Sequence, residues 1–300
     1  MNRTIARKKA RILLQLLAIL VPAGVLWAAG EGQLEKTIDT TREPRISLSN
    51  LNGHVLVRAW GRAQVHVVYK LASPRVEVDC EILPDAGPAD KVHLQSHLLD
   101  ETLPADKQMA DYTLDVPAHA RLEIRDPEGT IRVEGMQADA TVQSVSANIV
   151  IRDYSGHLLV HSVAGNIDVV QCTGNVEAYT VTGNLHFVSP STDRLHGTTT
   201  SGRILYEGDF MGSGDYSLSA YSGDLDIICP PSASYELSAK TLKGKVINMM
   251  PMTRRREPAS PLGASNSLLG TRNAGRATVE LTSFSGNIRI RPQDSSADPK

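Results

Sequence analysis

The chain has 300 residues, 41% of them hydrophobic, and a formal net charge of −2. Two Trp, eight Tyr and three Phe leave little for an aromatic core, and the near-balanced charge argues against general nucleic-acid affinity. Cys80, Cys172 and Cys229 share no CxxC spacing, which excludes a disulfide-dense scaffold or a zinc ribbon.

The first thirty residues read as an address. Arg3, Arg7, Lys8, Lys9 and Arg11 form a basic region, and 12–26 is an apolar run broken by Gln15, Pro22 and Gly24. Ala28-Ala29-Gly30 comes next, so a secretory signal peptide cleaved between Gly30 and Glu31 is expected. No Cys lies at its end to suggest a lipid anchor. The alternative is an uncleaved anchor, since 12–29 is 18 residues, the lower limit for a membrane span. That segment would then be the only contact with a membrane. Either way the expected location is outside the cytoplasm, in the periplasm, the cell envelope or the medium. Cleavage removes five basic residues, leaving 26 against 33 acidic ones and a net charge of about −7. An oxidising compartment permits disulfides, but an odd count leaves one thiol unpaired or shared between chains. Cys172 and Cys229 read either as small buried hydrophobes or as a bridge.

Residues 31–120 are β-rich without a fixed period. Ile46-Ser47-Leu48 and the stretch 52–60 read as a hairpin-like copy of the repeats beyond residue 121. Further alternating runs lie at 65–71, 76–83, 92–98 and 112–116, around a Gly/Pro loop at 86–89. This region is expected to cap one end of a stack of coils.

From 121 onward an octet recurs: a hydroxyl residue, any residue, a small residue, Gly, Asn or Asp, an aliphatic residue, any residue, an aliphatic residue. It is clearest in Ser162-Val163-Ala164-Gly165-Asn166-Ile167-Asp168-Val169 and again at 180–187, 220–227 and 283–290. Weaker copies lie at 127–133, 144–151, 199–205 and 241–247. The turn positions are Gly129, Ala147, Gly165, Gly183, Gly202, Gly223, Gly244 and Gly286, with Asn166, Asn184, Asp224 and Asn287 behind four of them. Their spacings are 18, 18, 18, 19, 21, 21 and 42, the last twice 21. Gly156 and Gly174 mark a half-period of nine. Apolar residues alternate at period two, as in Ile149/Ile151 and Leu158/Val160, which excludes helix. A sandwich would pair these segments antiparallel, whereas equal coil lengths favour stacking. A left-handed hexapeptide helix would need aliphatic residues at Ser155 and His161 and is rejected. The expected fold is all-β, a right-handed β-solenoid-like stack of about 18–21-residue coils over 121–292, roughly 40 Å long. Ile149, Ile167 and Leu185 should form one inner ladder, and the Gly-Asn corners should adopt positive φ.

Residues 251–275 interrupt the repeat with three Pro and Arg254-Arg255-Arg256. They read as a surface excursion dispensable for folding. The polar tail 293–300 reads as disordered.

The chain resembles the bacterial "putative adhesin" family, a domain of unknown function built from Gly-Asn/Asp β-repeats. The resemblance rests on Asn52-Gly53-His54-Val55-Leu56-Val57 with Trp60, on Asp115-Val116-Pro117, and on the serial Ser-x-x-Gly-Asn-Ile blocks. It covers about 35–292 and departs at 251–275. It implies an exported or envelope-associated protein, in some members part of an envelope-stress system, and supplies no catalytic residues.

Candidate chemistry is sparse. His157/His161 and His93/His97 stand four apart, which on a strand is one solvated face and not a helical ligand pair. Asp168, Asp224 and Asp226 are the acids a polysaccharide-active β-helix would use. Asp168 has no stacked carboxylate partner, and Asp224 takes the turn slot held elsewhere by Asn. Ser144, Ser162 and Thr180 form a hydroxyl ladder that suits corner hydrogen bonding. No cofactor or metal is expected. The leading reading is a non-enzymatic, adhesin-like scaffold that binds an envelope protein or polymer. The alternatives are a polysaccharide-active β-helix enzyme and a sensory domain for envelope stress.

Overall fold

The computed structural model describes residues 33–255 and 266–293. The expected signal segment with its Gly30/Glu31 cleavage point, Arg256, and the tail beyond Gln293 lie outside the described residues.

Among the described residues strands dominate, joined by turns and one short 3-10 turn at Ala105–Lys107. The first third holds β1 (Gln33–Ser49), β2 (Gly53–Trp60), β3 (Gln64–Leu71), β4 (Val76–Leu83), β5 (Ala89–Leu98) and β6 (Ala110–Pro117). The middle holds β7 (Arg121–Arg125), β8 (Gly129–Glu134), β9 (Ala140–Gln143), β10 (Asn148–Arg152), β11 (Ser155–His161), β12 (Ile167–Val170), β13 (Thr173–Thr180) and β14 (Leu185–Val188). It continues through β15 (Ser191–Thr199), β16 (Ile204–Glu207), β17 (Asp215–Ala220) and β18 (Leu225–Cys229). The last part holds β19 (Tyr235–Thr241), β20 (Val246–Asn248), β21 (Thr253–Arg254), β22 (Ser267–Arg272), β23 (Ala277–Ser283) and β24 (Ile288–Pro292).

Two sheets face each other, and each coil gives one strand to each. From β7 to β18 the odd strands pair in parallel in one sheet and the even strands in the other, coil upon coil. The inner ladder is as expected: Ile149 pairs with Ile167, and Ile167 with Leu185. It extends through Ile131 and Val55 on one side and Ile204, Leu225 and Ile288 on the other. All of these side chains are buried. Each alternate residue turns outward, so the two sheets bury a single strip between them. Burial of an aliphatic side chain contributes about 1.5–3 kcal/mol, and the ladder repeats it at every coil.

Coil length grows from 18 to 21 where the chain between β16 and β17 lengthens. The extra residues carry Phe210 into the core. Its ring lies 4.9 Å from Tyr206, 4.9 Å from Tyr216 and 5.0 Å from Tyr235. Four of the thirteen aromatics therefore meet in one plug, while Tyr69, Tyr112, Tyr154 and Phe187 are buried elsewhere along the stack.

Both ends break sequential order. β23 lies between β17 and β19, and β24 between β18 and β20. The last coil thus enters the stack before the 235–248 coil, and the 42-residue spacing marks an insertion, not a skipped repeat. At the other end, Arg45–Ser49 of β1 lies between β5 and β7, and β2 between β6 and β8. The first coil is likewise seated one layer in. The region 31–120 therefore contributes two coils as well as a cap.

Antiparallel strands close the ends. β3 runs along β6, and Gln33–Asp39 of β1 runs along β3, while β4 covers β5. β22 covers β19 and is covered in turn by β21. The expected excursion 251–275 is thus in part a cap. Its strand β22 buries Leu268, Gly270 and Arg272 against the stack. Arg272 donates from Nη1 to the Pro251 carbonyl at 2.6 Å and from Nη2 to that of Pro231.

Candidate interaction surface

From β7 onward, one corner of each coil is built from the octet. The hydroxyls of Ser162, Thr180, Thr241 and Ser283 accept the N–H of the glycine three residues on, at 2.8–3.1 Å. Thr180, Thr199, Thr241 and Ser283 donate to a carbonyl of the neighbouring coil at 2.8–3.4 Å. Behind the glycine, Asn166 Oδ1 accepts the Asn184 N–H at 3.0 Å, and Asn184 Oδ1 accepts the Arg203 N–H at 2.9 Å. Asp224 and Asn287 do the same for Asn287 and Lys245, at 2.8 and 3.1 Å. Corner amides without a backbone partner are satisfied by side chains one coil away.

The glycines are required by contact. A Cβ on Gly165, Gly183, Gly202, Gly223, Gly244 or Gly286 would lie 1.7–2.0 Å from the carbonyl oxygen of the adjacent coil. Positive φ was expected at these corners, but among them it occurs only at Gly129, φ +112°. Positive φ marks the opposite corner, in the column Gly135, Asp153, Gln171, Ser189 and Gly208.

The second octet position points to solvent. It carries Val163, Val181, Tyr221 and Phe284 in the strong copies and Val145 and Leu242 in weaker ones. Val145, Val163, Val181, Tyr221 and Leu242 are all exposed. Backbone bonds keep them in step: Val163 N–H reaches Val145 O at 3.2 Å and Val181 N–H reaches Val163 O at 3.1 Å. They form an apolar ridge along the stack, broken at Thr200 between Val181 and Tyr221. Toward the C-terminal end the ridge becomes aromatic, with Tyr221 and Phe284 stacked at 4.7 Å and 4°. A groove of about 390 Å³ runs beside it, walled on the other side by Thr198, Ser219, Thr282 and Lys240. The sequence signal for this ridge was the octet position treated as free.

The remaining candidates are distributed. His161 stacks on Tyr179 at 4.8 Å, and Tyr179 lies 5.4 Å from His196. His157 pairs in register with Asn175. His93 meets Ser47 Oγ at 2.7 Å, and His97 sits 3.2 Å from Asp79. Asp168 lies 3.4 Å from His186. Among the described residues no three His, Cys, Asp or Glu converge where a metal ion could sit. Asp224 and Asp226 do meet basic groups from both adjacent coils. Arg203 donates to Asp226 at 2.6 Å, and Arg289 donates to Asp224 at 2.7 Å and to Asp226 at 3.3 Å. The Asp226 side chain is only 3% exposed, so this quartet ties three coils together with opposed charges. Arg255 pairs with Glu236 at 2.7 Å.

Cys172 and Cys229 are buried free thiols, pushed up to about 12 and about 11 by desolvation. Cys80 is free and half-buried. One buried acid escaped the sequence reading. Asp126 occupies the corner slot that holds Ser144 and Ser162 in later coils, and neither carboxyl oxygen makes a normal hydrogen bond. Burial raises it to about 7, outweighing the Asn50 amide and the Glu128 N–H that lean the other way.

Comparison with known proteins places a family model, Toastrack DUF4097, on residues 45–291. A solved "putative cell adhesion protein" from Clostridium sporogenes ATCC 15579 is 11% identical, with a TM-score of 0.29 over 87% of this chain and 99% of its own. A "putative adhesin" from Parabacteroides distasonis ATCC 8503 is 9% identical, with a TM-score of 0.35 over 87% of this chain and 98% of its own. Comparison with curated proteins finds no match.

Proposed function

From the premise that the chain belongs to the Toastrack DUF4097 family, we propose that it is an exported, non-enzymatic scaffold that binds an envelope component along its long side. The observation that carries this reading is the exposed apolar ridge. An extended apolar strip on a water-facing surface is costly unless something covers it, and such strips mark interaction sites. Here it recurs at the same slot in coil after coil, beside corners whose own hydrogen bonds are complete. The basic and apolar order of 1–30 supports export.

The test replaces Val145, Val163 and Val181 together with Ser. The variant should keep close to the parent melting temperature, because these side chains are exposed. Its co-sedimentation with the envelope fraction of the native cell should fall several-fold. Undiminished co-sedimentation would remove the ridge as the binding surface.

A polysaccharide-active reading draws on the Asp224/Asp226 pair, one in the corner and one on β18, beside arginines from adjacent coils. Those arginines engage both carboxylates, which suits cohesion of the stack better than proton transfer. Release of reducing ends from envelope polysaccharide, abolished by Asp226→Asn in a chain that still folds, would revive it.

A further inference from the structure

We infer that a hollow at the N-terminal end of the stack binds a phosphoryl group. This site stands apart from the ridge and does not rest on the scaffold reading.

The hollow lies at the corner opposite the octet. There β1 crosses from one sheet to the other, the chain passes from β6 to β7, and the hairpin from β2 to β3 turns back. Backbone bonds lock these segments together. Thr40 N–H reaches Ala63 O at 3.0 Å, Ala118 N–H reaches Trp60 O at 3.2 Å, and Gln137 N–H reaches Ala118 O at 2.7 Å. The hollow has a volume of about 360 Å³, within the range of small-molecule sites. Trp60 and Pro117, two of the residues that marked the family resemblance, pair in register and both line it.

Its charged and polar side chains are donors without an acceptor. Arg42, Arg62 and His119 line the hollow, and no carboxylate does. Among the described residues neither guanidinium has a hydrogen-bond or carboxylate partner. Arg58, two residues before Trp60, is by contrast paired with Asp115 at 2.9 Å. Trp60 holds one of the two free arginines. The indole is itself fixed, because Nε1–H donates to Gln64 O at 2.7 Å and the ring stacks on His66 at 6.2 Å and 23°. Arg62 Cζ stands 5.0 Å from the centre of that ring. A guanidinium held over an indole through its charge keeps its N–H forks for other partners. His119 turns Nδ1 to the Gln137 carbonyl at 3.4 Å, which leaves Nε2 unengaged.

Donors that meet no acceptor call for an anion, and the donor set selects its kind. A carboxylate has oxygens for one guanidinium fork. A phosphoryl group adds a further oxygen and carries about two negative charges, which serves both arginines. The apolar Ala63, Pro117 and Ala118 beside them suit the carbon skeleton of a phosphate ester.

The test titrates the full chain with inorganic phosphate and with glycerol 3-phosphate, with acetate as the comparator and calorimetry as the readout. At least one of the two phosphates should bind saturably and about tenfold or more tightly than acetate. Arg42→Gln and Arg62→Gln should each weaken that binding by about tenfold. Both side chains are exposed, so both variants should keep the parent melting temperature. Arg194→Gln removes another exposed arginine without an ion pair, on β15, and should change nothing. Tighter binding of glycerol 3-phosphate assigns the group to a phosphorylated envelope molecule, equal affinity assigns it to free phosphate, and both uphold the site. No saturable binding of either phosphate, equal binding of acetate, or a loss in Arg194→Gln as large as in Arg62→Gln would overturn the inference.

Discussion

At the scale of single residues, the corner glycines carry the tightest steric demand. A methyl on Gly183 would lie 1.9 Å from the Gly165 carbonyl oxygen, whereas one on Gly212 would meet nothing within 4 Å. Gly183→Ala is therefore expected to lower unfolding free energy by about 3 kcal/mol or more, because backbone and not a flexible side chain must move. Gly212→Ala should stay within about 0.5 kcal/mol. Urea unfolding of the two variants makes the comparison. Asp126 supplies a pH dependence with a definite sign. A buried carboxyl raised to about 7 holds its proton more tightly folded than unfolded. That stability is fully present below about pH 4 and is lost as pH climbs through about 7. Asp126→Ser installs the residue used at this slot in later coils. It should abolish a decline on the order of 4 kcal/mol between pH 4 and 8, read from denaturant midpoints across that range. An unchanged slope would show that another group sets it. The hydroxyl, Gly and Asn slots of these corners were legible because each is needed in every coil. Asp126 was not, because a carboxylate in a hydroxyl slot looks in sequence like any turn aspartate.

At the scale of the element, alternation made the strands readable wherever one face was uniformly apolar. β12 and β14 are such cases, each a four-residue segment with its first and third residues buried. β22 shows where this reading stops. Its inward residues are Leu268, Gly270 and Arg272, so the buried face carries a glycine and a charge and no apolar period results. Arg272 is tolerated because backbone carbonyls of 231 and 251 accept its guanidinium protons. Replacing 267–272 with a Gly/Ser linker should uncover β19 and lower the melting temperature by about 5–10 °C. The expectation that 251–275 is dispensable predicts no change, so one calorimetric scan separates the two.

At the scale of the whole molecule, the period revealed the stack but not its order. Equal spacing states that segments are equivalent. It does not state which segment lies next to which once a connection is long enough to reach past a neighbour. The 42-residue gap allowed the final coil to fold back, and β1 and β2 return in the same way at the other end. Cysteines placed at Ser219 and Thr282, which pair in register, should form a disulfide under mild oxidation. Cysteines at Ser219 and Lys240 should not, because Thr282 lies between them. Mass spectrometry of the oxidised variants would report the reverse if the coils stacked in chain order. A simple solenoid can add its coils as they emerge and can fray from either end. This one keeps a slot between β18 and β20 that only its last coil can fill. Until 277–292 has left the ribosome, the C-terminal end stays open to proteases. Once seated, that coil can be peeled off only by breaking contacts on both sides at once. The fold thus discriminates between a finished chain and an interrupted one, and quality control of a truncated product follows from topology alone.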